Sequence, residues 1–171
     1  AAGNLLTATE PLGGASDTSP QSLTRTFTYD ECNRRTQTTL PDGSILRTAY
    51  DSRGLPIVQT DPLSQTTELA YDDGRRMTSV RNALGIEEQM GYDLAGRLVS
   101  RTDGLNRTTR FAYDGRGRLT AINYADGTTR SVHYSPQGWP LQETDPAGNT
   151  TRYAYDAAGH LLTVTRPLNT L

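Results

Sequence analysis

Apolar and polar positions alternate over short stretches of this 171-residue chain, and the alternation restarts every 21 residues. The clearest marker is tyrosine, at Tyr29, Tyr50, Tyr71, Tyr92, Tyr113, Tyr134 and Tyr155. Two residues before each stands a mostly large apolar side chain: Phe27, Thr48, Leu69, Met90, Phe111, Val132 and Tyr153. One residue before stand mostly small ones, such as Ala49, Ala112 and Ala154, and three before stand polar ones, such as Arg47, Glu68 and Arg152. A period of two with one apolar face predicts a β-strand leading into every tyrosine. A return strand passes through Met77, Leu98, Leu119 and Leu161, six residues after tyrosine. It ends near Pro41, Pro62, Pro146 or Pro167, where a missing amide proton costs no ladder bond. No segment sustains a helical period.

Sharp turns punctuate the strands. Four residues after tyrosine come Asn33, Gly54, Arg75, Gly96, Gly117, Gly138 and Gly159, and seven before it come Gly43, Ser64, Gly85, Asn106, Gly127 and Gly148. Gly and Asn tolerate the positive φ that tight turns demand. Arg75 follows Gly74, so the glycine of that copy reads as moved by one place. Two turns per period leave two strands of about seven residues each. Copies at such a period stabilise one another by stacking. Seven of them give about fourteen antiparallel strands, with tyrosines roughly 9.6 Å apart and a sheet about 65 Å long. Open twisted sheets beyond about ten strands curl. The expected fold is therefore all-β: a curved antiparallel sheet of tandem 21-residue β-hairpin repeats, an open segment of a spiral β shell.

Residues 1–23 are expected to hold a partial repeat. Gly3, Asn4, Leu5 and Leu6 read as the tail of an earlier copy, and the stretch from Pro11 to Ser22 reads as a loop, lengthening the turn by about nine residues. Residues 24–171 hold the seven repeats, and Asn169 continues the glycine series. Both ends fall within a repeat, which leads us to expect a piece of a longer array. Its free sheet edges invite pairing with another chain, so self-association is expected.

Composition narrows the picture. Counting glycine but not tyrosine, 65 of 171 residues are apolar, about 38 %, against roughly 45–50 % in globular domains. A thick two-layer core is hard to fill from that stock. The net charge of -2 and the strict period argue against disorder. Threonine, with 26 copies, favours strands. Seventeen arginines, with no lysine, are interleaved with 19 acids, which gives no electrostatic footprint for nucleic acid. No apolar run is long enough to span a bilayer, and the first residues lack a signal-peptide pattern. A single cysteine, Cys32, excludes an internal disulfide and a cysteine-based zinc site. Its expected state is a buried or half-buried inert thiol.

Candidate chemistry follows the period. Asp30, Asp51, Asp72, Asp93, Asp114 and Asp156 each follow a tyrosine, and Ser135 breaks the series. An aspartate before a tight turn accepts hydrogen bonds from turn amides, so this ladder reads as structural. Many equal carboxylates single out no catalytic pair, and no calcium-loop spacing is present. The arginines after the turn glycine, Arg97 and Arg118, are candidate anion ligands, although solvated or acid-paired arginines are the plainer reading. Trp139 takes the arginine's place in one copy. It is a candidate carbohydrate platform, or else packs on a neighbouring strand. His133 and His160 occupy positions held elsewhere by alanine or arginine. They signal neither a metal site nor a catalytic triad. No catalytic residue, metal ligand or cofactor is assigned.

The runs Tyr92-Asp93-Leu94-Ala95-Gly96-Arg97-Leu98 and Tyr113-Asp114-Gly115-Arg116-Gly117-Arg118-Leu119 resemble the Y-D-x-x-G-R-L motif of YD-repeat, or Rhs, proteins. The resemblance runs from residue 24 to 171. That family includes bacterial Rhs polymorphic toxins, cocoon-forming components of insecticidal toxin complexes, and animal teneurins. The resemblance implies a hollow β shell that, in bacterial members, encloses a C-terminal toxin domain and ends in a self-cleavage region. It also implies that the parent is secreted or delivered by a secretion system. The partners implied are the remaining repeats and that toxin domain.

A structural shell segment without catalysis is thus the leading expectation. A carbohydrate- or cell-surface-binding repeat module is the alternative. A single tryptophan and 7 % aromatics fit poorly with aromatic cages. An enzyme would need an acid outside the period, and none stands out. A propeller of 42-residue blades would alternate strand types at twice the observed tyrosine spacing.

Overall fold

The computed structural model describes residues 3–11 and 22–167; residues 12–21 of the expected loop and Asn169 lie outside the described residues. The chain forms fifteen antiparallel strands: β1 (Thr7–Pro11), β2 (Ser22–Tyr29), β3 (Arg35–Thr39), β4 (Ile45–Tyr50), β5 (Pro56–Thr60), β6 (Thr66–Tyr71), β7 (Met77–Arg81), β8 (Glu87–Tyr92), β9 (Leu98–Thr102), β10 (Thr108–Tyr113), β11 (Leu119–Asn123), β12 (Thr129–Tyr134), β13 (Pro140–Thr144), β14 (Thr150–Tyr155) and β15 (Leu161–Thr165). There is no helix among the described residues, so none is long and apolar enough to cross a membrane. Two units divide the chain, Ala1–Glu87 and Glu88–Leu171. Within each, every strand pairs with the strands next to it in sequence.

The period resolves into four pieces. A five-residue return strand (Arg35–Thr39), a five-residue turn (residues 40–44), a six-residue leading strand (Ile45–Tyr50) and a second five-residue turn (residues 51–55) together span 21 residues. The strands are shorter than the seven expected because each turn consumes five residues. Both turns use one geometry. In the first, the Asp51 amide donates to the Leu55 carbonyl at 2.9 Å, and the Gly54 amide donates to the Asp51 carbonyl at 3.0 Å. In the second, the Leu40 amide donates to Ser44 and the Gly43 amide to Leu40. This is the three-residue hairpin loop, a tight turn followed by a residue in the left-handed region.

That residue is usually glycine, for example Gly54 at φ 83° and Gly96 at φ 84°. Where it is not, the backbone does not yield. Arg75 itself takes φ 64°, while Gly74 stays outside the left-handed region. The expectation that the glycine had shifted is therefore wrong: turn geometry, not side-chain identity, fixes the place. Asn33, Ser64 and Asn106 accept the same conformation.

Strand register adds a constant stagger. Phe27, Thr38 and Leu46 stand level across β2, β3 and β4. In the second unit Met90, Arg101 and Thr109 stand level across β8, β9 and β10. A residue two before one tyrosine is therefore level with a residue four before the next. Each hairpin shifts by two residues, about 6.8 Å along the strands for about 9.6 Å across them, which tilts the strands by roughly 35°.

Among the described residues no hydrophobic side chain is fully buried, and the only buried polar residue is Ser135. The sheet is a single layer. One face carries the expected apolar residues, but not uniformly. In the second unit the cross-strand pairs Phe111–Ile122 and Tyr153–Val164 alternate with Met90–Arg101 and Val132–Glu143. The latter carry the ion pairs Glu88–Arg101 and Arg130–Glu143. The chemistry of this face repeats every 42 residues, twice the tyrosine spacing. Cys32, expected to be at least half-buried, is exposed. It sits at a hairpin tip, where its amide serves the turn by donating to Asp30 and nothing covers its side chain.

Candidate functional site

The element that recurs with defined geometry is the seam between one hairpin and the next, and each motif residue has a place in it. Asp114 illustrates the first step. Its Oδ1 accepts the amides of Arg116 and Arg118 at 2.9 and 3.0 Å, and its Oδ2 accepts Arg118 Nε at 2.6 Å. Asp30 does the same with Cys32 and Arg34. Asp30, Asp51, Asp93 and Asp114 are all held below the ordinary carboxylate pKa, foremost by the backbone amide four residues on. In Asp72 the Arg76 side chain leads, and in Asp156 the His160 side chain does.

The arginine then reaches across to the next copy. Arg34 lies over the Tyr50 ring at 4.9 Å, Arg97 over Tyr113 at 5.0 Å and Arg118 over Tyr134 at 4.6 Å. Each also donates through Nη1 to the carbonyl just after that tyrosine: Asp51 at 2.9 Å, Asp114 at 3.4 Å and Ser135 at 3.1 Å. The tyrosine answers in the other direction. Tyr50 donates to the Arg35 carbonyl at 2.9 Å, Tyr113 to Leu98 at 2.9 Å and Tyr134 to Leu119 at 3.1 Å. A half-buried cation–π contact contributes about 0.5–2 kcal/mol, so each seam adds a modest increment that the next one repeats.

Departures from the motif keep this logic. Leu55 stands where the arginine belongs, and Arg53 takes over. It binds Asp51 Oδ2 at 2.9 Å and reaches the Asp72 carbonyl at 2.7 Å. At the start of the chain Tyr29 donates to Leu5 at 2.8 Å, so Gly3 to Leu6 serve as the tail of a hairpin. In the Tyr134 copy two changes come together. Ser135 replaces aspartate and accepts the Trp139 amide at 3.1 Å, while Trp139 replaces arginine and packs on Tyr155 with ring centroids 5.4 Å apart. A charged junction has become an aromatic one.

The turn glycine has a second task beside its φ. A Cβ on Gly138 would meet Arg118 Nη1 at 3.4 Å, and one on Gly159 would meet Trp139 Cζ2 at 2.7 Å. The glycine is the seat for the previous copy's side chain.

The candidate ligands Arg97 and Arg118 are thus engaged by an aspartate, a tyrosine ring and a carbonyl, and Trp139 by Tyr155. His160 pairs with Asp156 at 2.9 Å and His133 is exposed. Among the described residues no three His, Cys, Asp or Glu are grouped to hold a metal ion. The sequence reading missed a second set of turn acceptors. Asp61, Asn82, Asp103 and Asp145 each accept two amides of the other turn. Where Leu40 and Tyr124 stand instead, Asp42 and Asp126 accept the turn amide and a hydroxyl from two residues on. Their recurrence at 21 residues was visible in the sequence.

The RHS Repeat family profile matches residues 1–45, 50–87, 92–129 and 134–170, and the chain belongs to that family. The last three matches start at tyrosines 42 residues apart, the period of the alternating sheet face. No curated protein matches the sequence. Solved structures share the fold at 15 % identity. They include TcdB2-TccC3-TEV (TM-score 0.67), TcdB2-TccC3-Cdc42 (0.69) and the Tc holotoxin pore of Photorhabdus luminescens with a substituted TccC3 (0.68). Each is matched over 95 % of this chain but only 10–11 % of its own, so the chain spans about a tenth of their length.

Proposed function

We propose that this chain is wall material: a non-catalytic segment of an RHS shell that encloses a toxin domain of its parent protein. One observation carries the reading. Fifteen strands form without a single fully buried hydrophobic side chain among the described residues. Such an array is stabilised by neighbour contacts alone, as a one-dimensional repeat is, and separates two solvent spaces instead of surrounding a core. The strand tilt of roughly 35° supports the same reading, because sheets that close into barrels tilt by about that amount. The wall's partners are then further repeats along its edges and a cargo domain on one side, in a parent that is exported from the cell. The named side chains are committed to the seam, which favours a barrier over a glycan-binding module.

Limited proteolysis of the full-length parent tests the proposal. The cargo domain stays uncut while the repeats are intact and becomes cleavable once the wall is opened by denaturant. A cargo domain cut freely in the intact protein would falsify it.

A further inference from the structure

We propose that the outer edge of β15 is a strand-acceptor site that takes, in trans, an extended peptide of the type apolar–small–Tyr–Asp as one more antiparallel strand. The inference rests on the wall reading above, in which hairpins add edge to edge. β15 pairs with β14 on one side, and among the described residues no strand covers the other. Its sequence, Leu161-Leu162-Thr163-Val164-Thr165, holds no charge and no proline. Leu161, Leu162 and Val164 are 52 %, 63 % and 42 % exposed. Protected sheet edges carry charges, prolines or outward bulges, and an edge without them is a template for strand addition.

Continuity with the internal seams identifies the occupant. At the junction of β9 and β10, Thr102 stands opposite Thr108, Arg101 opposite Thr109 and Ser100 opposite Arg110, and Tyr113 donates to the Leu98 carbonyl. Three periods later the same places are Thr165, Val164, Thr163 and the Leu161 carbonyl. The residue before Leu161, where internal seams place arginine, is His160, held by Asp156. A peptide copying residues 107–114, Arg-Thr-Thr-Arg-Phe-Ala-Tyr-Asp, therefore has a defined register. Its first-strand threonines face Thr165 and Val164, its second arginine faces Thr163, and its tyrosine hydroxyl reaches the Leu161 carbonyl.

The test is an NMR titration of the whole 171-residue chain with that peptide, capped at both ends. We expect amide shifts confined to His160–Thr165 and intermolecular contacts in the stated register. The peptide with phenylalanine for its tyrosine should bind about 2- to 10-fold more weakly, the range for one lost hydrogen bond. The peptide with proline for its second arginine should not bind, because a strand needs that amide. If copies of the chain already pair through this edge, the peptide returns them to monomers, which also supports the site. No shifts at millimolar peptide, shifts elsewhere, or equal binding of the proline peptide would overturn the inference. A parent protein that still protects its cargo would leave the wall reading standing in any of those cases.

Discussion

Substituting Gly159 by alanine isolates what one aromatic seam contributes. Gly159 sits at φ 89°, and a Cβ there falls 2.7 and 2.9 Å from Trp139 Cζ2 and Cε2. An L-residue in the left-handed region costs about 1–2 kcal/mol. The clash adds to this, because Trp139 must leave Tyr155, and an aromatic pair contributes about 0.5–1.5 kcal/mol beyond its buried area. The expected total is about 2–3 kcal/mol. Gly127 is the control: its φ is 85° with nothing within 4 Å of a built Cβ, so Gly127→Ala carries only the conformational cost of about 1–2 kcal/mol. Urea unfolding followed by fluorescence suits the comparison, since Trp139 is the sole tryptophan and reports its own seam. With a slope of roughly 1–3 kcal/mol per molar urea, Gly159→Ala should lower the midpoint of that signal by about 1 M. It should also shift the native emission, which Gly127→Ala should not. Equal effects of the two substitutions would refute the packing argument.

Tyr113→Phe removes the bond to the Leu98 carbonyl and should destabilise by about 0.5–1.5 kcal/mol in urea unfolding. Tyr71→Phe should be near neutral, because the Tyr71 hydroxyl has no such partner opposite Pro56. Asp114→Ala should lower the unfolding midpoint more than Asp114→Asn, since asparagine keeps the acceptor for the Arg116 and Arg118 amides and loses only the ion pair. The pH dependence has a definite sign. Asp30, Asp51, Asp93 and Asp114 are held below their reference value of 3.8 in the folded chain. Their contribution is therefore fully present above pH 3.8 and is lost as pH falls through the folded values beneath it. Circular dichroism should stay constant from neutral pH to that point and weaken below it; a transition centred above about pH 5 would contradict this.

The hairpins were legible because their determinants are local. A left-handed residue and a turn aspartate act within five positions, so Gly54, Gly96 and Asp114 could be placed from spacing alone. The seam was not legible, because Arg118 meets Tyr134 across the gap between strands, and which residues face each other there depends on register. A trace of it existed, since Ser135 and Trp139 depart from the motif together, as partners do. The 42-residue alternation was hidden by the tyrosines, which serve every junction alike while Phe111 and Val132 differ in what stands opposite them. The displaced glycine at Gly74 misled because arginine at a left-handed position is uncommon. Here the hydrogen bond from the Arg75 amide to the Asp72 carbonyl, at 3.1 Å, holds it in place.

The central claim is that these hairpins form a wall one strand layer thick. Cryo-electron microscopy of the full-length parent measures this most directly. The account predicts that this segment appears as a single sheet with hairpins about 9.6 Å apart, bounding an enclosed volume. Density showing the same residues packed face to face against a second sheet or against helices, with no cavity behind them, would contradict it.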